Sequence, residues 1–152
     1  MRGGERFFVD TNVLLYAVDP AVQEKQEAAR QWLACLWNTA SGSVSWQVLH
    51  EFYVNAIRKI GMPLAPARGV IEAYSAWHPV ENSLGLVRQA WHWMDEAGLS
   101  YWDALIVAAA ERAGCAYLLS EDFQDGRVLG KLAVLNPFRA RPEDFRLRPE
   151  PR

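Results

Sequence analysis

Apolar runs of three or four residues alternate along this chain with longer segments whose apolar positions recur at helical spacing. Parallel neighbours in a sheet need a crossover of about a dozen residues or more, normally a helix, so the alternation implies an α/β fold. Three layers are expected, with helices on both faces of a central, mainly parallel sheet of about five short strands. The strands are predicted at Arg6–Val9, Val44–Trp46, Trp77–Val80, Ala116–Leu119 and Leu132–Leu135. Helices are predicted from Asp10 through Ala17, over about 21–38 and 47–60, after Pro66 to about Ala76, and over 83–97 and 101–113. Caps and stops support these limits: Asp10, Ser83 and Ser100 can open helices, while Asp19-Pro20, Gly61, Gly98 and Gly114 close them.

With 152 residues and 51% hydrophobic content, the chain has material for one well-filled core. The main body is expected over 1–138, followed by an Arg/Pro-rich tail over 139–152. The apolar run before Asp10 is too short for a signal peptide, and no segment approaches the roughly 18 apolar residues of a membrane span. A soluble cytoplasmic protein, not associated with a membrane, is the expectation. Cys35 and Cys115 stand 80 positions apart within helical patterns, a spacing that suits buried thiols better than a disulfide or a zinc site.

Formal net charge is −2, so no global field favours nucleic acid. Its distribution is uneven. Residues 139–152 carry five arginines against Glu143, Asp144 and Glu150, whereas residues 1–138 carry 11 basic and 15 acidic side chains. The tail reads first as a solvated terminus and second as an arm that contacts phosphate.

Four acids, Asp10, Glu51, Asp103 and Asp122, fall where a strand passes into a helix or turn, or where a helix begins. Carboxyl ends of parallel strands lie along one sheet edge, where ligands bind in this class, so acids distant in sequence can meet there. Each also has a plainer role. Asp10 can cap a helix, and Asp103 stands three residues after Ser100 as in a capping box. Glu51 lies on the polar stripe Gln47, Glu51, Asn55, Arg58, and Asp122 sits in a turn beside Glu121 and Asp125. Independent capping, however, does not predict four acids at matching topological points. The run Ala104–Ala110 is apolar all round, so a carboxylate at its mouth needs a partner, and a cation is one.

Phe8-Val-Asp-Thr-Asn-Val-Leu14, Val48-Leu-His-Glu-Phe-Tyr53, Tyr101-Trp-Asp-Ala-Leu-Ile-Val-Ala-Ala109 and Leu118-Leu-Ser-Glu-Asp-Phe-Gln-Asp-Gly126 together resemble the PIN domain, in particular VapC-like toxins of bacterial toxin–antitoxin pairs. The likeness runs from about Arg6 to Phe138. It implies a metal-dependent endoribonuclease whose acidic quartet is Asp10, Glu51, Asp103 and Asp122, with Asp125 as a further candidate ligand. Thr11, Asn12 and Ser120 match the supporting hydroxyl and amide positions. By the same resemblance, Asp10 and Asp103 would bind the main Mg²⁺ or Mn²⁺ ion, while Glu51 and Asp122 would hold a second ion or orient water. RNA would be the substrate, a cognate antitoxin the inhibitor, and a homodimer the assembly. Crowded carboxylates repel one another, which gives an oxygen-lined cation site its physical rationale.

Arg58, Lys59 and Arg68 are candidate phosphate contacts, against ordinary solvated charge. His50, His78 and His92 lack metal-ligand spacing and read as surface or core filler. Most of the seven tryptophans read as core or subunit interface, although Trp46 and Trp102 lie near the acidic edge and could stack on an unpaired base. Two other functions stay open on these residues: a non-catalytic PIN-like module that binds RNA or protein, and another Mg²⁺-dependent phosphoryl-transfer enzyme such as a phosphatase. Against the latter, the chain has no glycine-rich nucleotide loop.

Overall fold

Phe7, Phe8 and Val9 are each no more than 1% exposed, as a strand covered on both faces requires. They form β1 (Phe7–Val9), which pairs in parallel with β2 (Gly42–Ser43) on one side and β3 (Tyr117–Leu119) on the other. β3 pairs in parallel with β5 (Leu132–Leu135), and β4 (Val128–Leu129) closes the sheet as an antiparallel edge. The resulting order is β2-β1-β3-β5-β4. The computed structural model from which this architecture is read describes residues 4–147. Six α-helices accompany the sheet: α1 (Thr11–Val18), α2 (Gln23–Thr39), α3 (Trp46–Asn55), α4 (Leu64–Tyr74), α5 (Leu84–Ala97) and α6 (Tyr101–Arg112). This is the expected three-layer α/β/α arrangement. Among the described residues, no helix is long and apolar enough to cross a membrane.

Local chemistry sets the helix starts. The side chains of Asp10, Ser45, Ser83 and Ser100 accept backbone N–H bonds at the openings of α1, α3, α5 and α6. α1 packs against both α2 and α3, α5 lies along α6, and α6 reaches β3 and β5. Residues Ala104–Ala110 of α6 are all buried, consistent with their uniformly apolar character. Cys35 and Cys115 are buried free thiols.

The strand expected at Val44–Trp46 is displaced: β2 lies at Gly42–Ser43, because the Ser45 hydroxyl caps Val48 N–H and starts α3 already at Trp46. A Cβ on Gly42 would overlap the Trp77 indole, so β2 needs a glycine at that point. The expected strand Trp77–Val80 is absent as well. Ser75–Trp77 is a 3₁₀ turn, His78 takes φ +52°, and only Val80 reaches the sheet margin, through a bridge to Ser45. Beyond Asn55, α3 continues as a π-helical turn over Ala56–Ile60. Conversely, β4 has no counterpart among the expected strands: two apolar residues before Gly130 are too few to show a period.

Within the expected tail, Pro142–Phe145 form a 3₁₀ turn, and Pro142 and Leu147 are buried. Phe145 meets Phe7 and Tyr117 edge-on at 5.7 and 5.1 Å, while Trp32 Nε1–H donates to the carbonyls of Pro137 and Ala140. The apolar part of this segment is packed onto the core, while Arg139, Arg141 and Arg146 stay exposed. Arg148, Glu150 and Arg152 lie outside the described residues.

Candidate active site

The carboxyl ends of β1 and β3 are joined through side chains. Asp10, at the end of β1, is 6% exposed; its Oδ1 accepts Thr11 N–H at 2.7 Å and its Oδ2 accepts the Ser120 hydroxyl at 2.7 Å. Ser120 follows β3, is wholly buried, and also accepts Asp122 N–H at 3.1 Å. Asn12, in the first turn of α1, links the same groups. Its Nδ2 lies 3.2–3.3 Å from Asp10 Oδ2, Ser120 Oγ and Asp122 Oδ2, and its Oδ1 accepts Glu121 N–H at 3.1 Å. The Thr11 hydroxyl donates to Glu51 Oε1 at 2.8 Å, tying α3 to the same edge.

These groups open onto a cleft of about 260 Å³ lined by Asp10, Glu51, Asp103 and Asp122, with Thr11 and Asn12 between them. Glu51 is half-buried, whereas Asp103 and Asp122 are exposed. Asp103 stands in the first turn of α6, and its backbone N–H is capped by Ser100 Oγ at 3.2 Å. Gln47, Asn55, Lys59 and Trp102 also line the cleft. A larger hollow of about 500 Å³ between α2 and residues 137–142 sets Glu24 and Glu27 among Arg139 and Arg141. Its acids lie on the surface of one helix, while the smaller cleft gathers acids from four elements at the strand ends. Chemistry, not size, identifies the candidate site.

Burial pushes the Asp10 carboxyl up to about 6, and the charges of Asp122 and Glu51 push the same way; the Ser120 hydroxyl and Thr11 N–H oppose them. An anion is thus enclosed beside like charges, and every potential ligand in the quartet is an oxygen. That donor set fits a hard divalent cation such as Mg²⁺ or Mn²⁺. Among the described residues, no three His, Cys, Asp or Glu side chains converge closely enough to hold an ion. The expectation that the carboxylates crowd within a few ångströms is corrected accordingly: they surround one cleft, with Asp10 and Glu51 engaged by hydroxyl donors.

The neighbours of Asp122 are occupied elsewhere. Glu121 forms an ion pair with Lys25 of α2, whose ammonium also lies over the rings of Tyr16 and Phe138 at 4.8 and 5.1 Å. Asp125 Oδ1 accepts Asn136 N–H at 2.9 Å. Lys25 has no sequence signal as a partner of this loop, because 96 positions separate it from Glu121. Of the candidate phosphate contacts, Lys59 lines the cleft; Arg58 is exposed elsewhere on the π turn, and Arg68 bonds the Tyr53 hydroxyl at 3.1 Å. His50, His78 and His92 are all exposed. Trp32 and Trp93 are core residues and Trp46 and Trp77 pack against the core, whereas Trp37, Trp91 and Trp102 are exposed.

The fold and cleft define an α/β domain with a carboxylate-lined site at the carboxyl ends of its parallel strands. Its sequence matches the PIN domain model over residues 7–128, and the chain belongs to that family. No curated protein matches the chain at a significant level. Among solved structures, the fold is similar to a chain of a toxin–antitoxin complex from Klebsiella pneumoniae, with TM-score 0.60 and 19% identity over 86% of this chain and 96% of the other. It is also similar to VapC20 from Mycobacterium tuberculosis, a sarcin–ricin loop cleaving toxin, with TM-score 0.59 and 23% identity over 76% of this chain and 91% of the other. At these identities the likeness is one of fold.

Proposed function

We propose that the chain is a Mg²⁺- or Mn²⁺-dependent endoribonuclease and the toxin of a type II toxin–antitoxin pair. The observation that carries this reading is the cleft lined by Asp10, Glu51, Asp103 and Asp122, in which Asp10 is buried beside like charge. PIN family membership and the toxin-like fold support it. Asp10 and Asp103 would hold the ion, with Glu51 and Asp122 as further ligands or water-orienting groups. When bound, the cation lowers the pKa of water and neutralises charge at the phosphate. Thr11, Asn12 and Ser120 hold the carboxylates in orientation, as donors beside a metal site do. Neither Ser120 nor Thr11 is a nucleophile in this account: their hydroxyls donate to carboxylates, and among the described residues no histidine lines the cleft.

In the cell the protein would act as a cytoplasmic homodimer silenced by a cognate antitoxin. The activity is tested by incubating purified protein with RNA in Mg²⁺, Mn²⁺ or EDTA, beside Asp10→Asn and Asp103→Asn. Internal cleavage that needs the cation and both acids is expected. Cleavage in EDTA, full activity in both variants, or release of phosphate from monoesters without RNA cleavage would overturn the reading.

A further inference from the structure

The cleft carries charge of the wrong sign for its proposed substrate. Four carboxylates line it and Lys59 is the one cation among its described lining residues, so electrostatics alone would repel an RNA strand. The strand therefore needs contacts besides the cation at its reacting phosphate, and two features at the rim can supply them.

The first is Trp102. In the first turn of α6, just before the buried run Ala104–Ala110, the indole is 62% exposed. Gln47 Nε2–H donates to the Trp102 backbone carbonyl at 3.3 Å, anchoring the main chain there, and Tyr101 meets the indole edgewise at 5.5 Å. A single exposed apolar ring is ordinary on a protein surface, and it is the place of this one in the lining of the acidic cleft that gives it a ligand-facing role. Adjacent to Asp103, it stands next to the proposed chemistry.

The second is the π turn. Gln47, Glu51, Asn55 and Lys59 all line the cleft, each four residues from the next. On an uninterrupted α-helix, four-residue steps drift by about 40° each, which would carry residue 59 about 120° around from residue 47. From Ala56 to Ile60 the helix is π-wound, with Gly61 N–H reaching back to the Ala56 carbonyl. The wider turn absorbs the extra residue and keeps Lys59 facing the cleft. Such turns are uncommon and concentrate at functional sites.

Resting on the ribonuclease reading, we infer that Trp102 and Lys59 position the RNA strand at the rim of this cleft. One unpaired base stacks on the Trp102 indole, while a neighbouring phosphate is held by Lys59 across the cleft. Stacking tolerates any base, since each has a π face, and it requires that the base be free of its partner strand.

The test is anisotropy of fluorescein-labelled oligouridylate, and of an RNA duplex of equal length, in Mg²⁺. The Asp103→Asn background allows binding to be read without turnover. Adding Trp102→Ala is expected to weaken single-strand binding roughly tenfold, while Trp102→Phe stays within about threefold. Duplex binding should be unaffected, as should both ligands in Trp91→Ala, which removes an exposed indole on α5 away from the cleft. Unchanged single-strand affinity in Trp102→Ala would assign the indole to a protein contact and overturn the inference; so would equal losses for duplex and single strand. Cleavage by the wild type with Trp102 indifferent removes this inference alone. Trp102-dependent binding without any cleavage removes the hydrolytic reading alone, and failure to bind RNA removes both.

Discussion

The Ser120 hydroxyl donates a 2.7 Å hydrogen bond to Asp10 Oδ2, joining the ends of β3 and β1 across 110 residues of sequence. Both residues are buried, so the bond favours the anionic form of a carboxyl that burial otherwise drives towards protonation. Ser120→Ala should therefore raise the Asp10 pKa above about 6. Carboxyl-carbon NMR titration of the cation-free protein would report it; a lowered pKa would show that the hydroxyl acts otherwise.

The Asp10 shift also fixes a pH dependence of stability. Unfolded, the carboxyl titrates near 3.8; folded and cation-free, near 6. Between these values the folded state keeps a proton that the unfolded state has lost. Stability from this group is fully present below about pH 4, falls as pH rises, and is lost above about 6, a decline of about 3 kcal/mol. Asp10→Asn should remove that component. Urea unfolding of both proteins in EDTA from pH 4.5 to 7.5 should give curves that diverge with rising pH, the Asp10→Asn variant being the more stable at the top. Parallel curves would contradict the raised pKa.

Asn12 supports the site without being a carboxylate. Its amide contacts Asp10, Ser120, Asp122 and the Glu121 backbone, and so holds the turn after β3 against α1. Asn12→Ala should lower kcat/KM on RNA by about 10- to 100-fold with an unchanged circular dichroism spectrum. Activity within twofold of wild type would remove Asn12 from the supporting shell.

Gly42 is a purely structural case. Because the Trp77 indole occupies the space of its missing side chain, Gly42→Ala should cost about 1–3 kcal/mol. The cost should shrink in a Trp77→Leu background, because the two residues are in contact. Denaturant melts of the four proteins measure that coupling, and strict additivity would contradict the overlap.

These cases mark where the sequence is informative. β1, α1 and α6 were legible because burial on both faces leaves an unbroken apolar run, and because Asp10 and Ser100 are local caps. The placement of β2 was not, since Gly42 answers to Trp77, 35 positions away. β4 has only two residues, and the break at His78 is a backbone conformation that no periodicity encodes. In the site, topology leads Asp10, Glu51 and Asp122 to one edge. It is silent on how the side chains bond there: Lys25 engages Glu121, and Asp125 accepts the Asn136 N–H. Nor does helical period reveal the π turn that keeps Lys59 in the cleft.

The central claim is that the carboxylates act as one metal-dependent unit, and a double-mutant comparison of RNA cleavage in saturating Mg²⁺ tests it most directly. Groups that act together are non-additive: once one is gone, removing the next costs little. Asp10→Asn and Asp103→Asn should each reduce kcat/KM by about a thousandfold or more, and the double variant should be no slower than the slower single. Losses that multiply in the double variant, or a single variant within tenfold of wild type, would contradict a shared site.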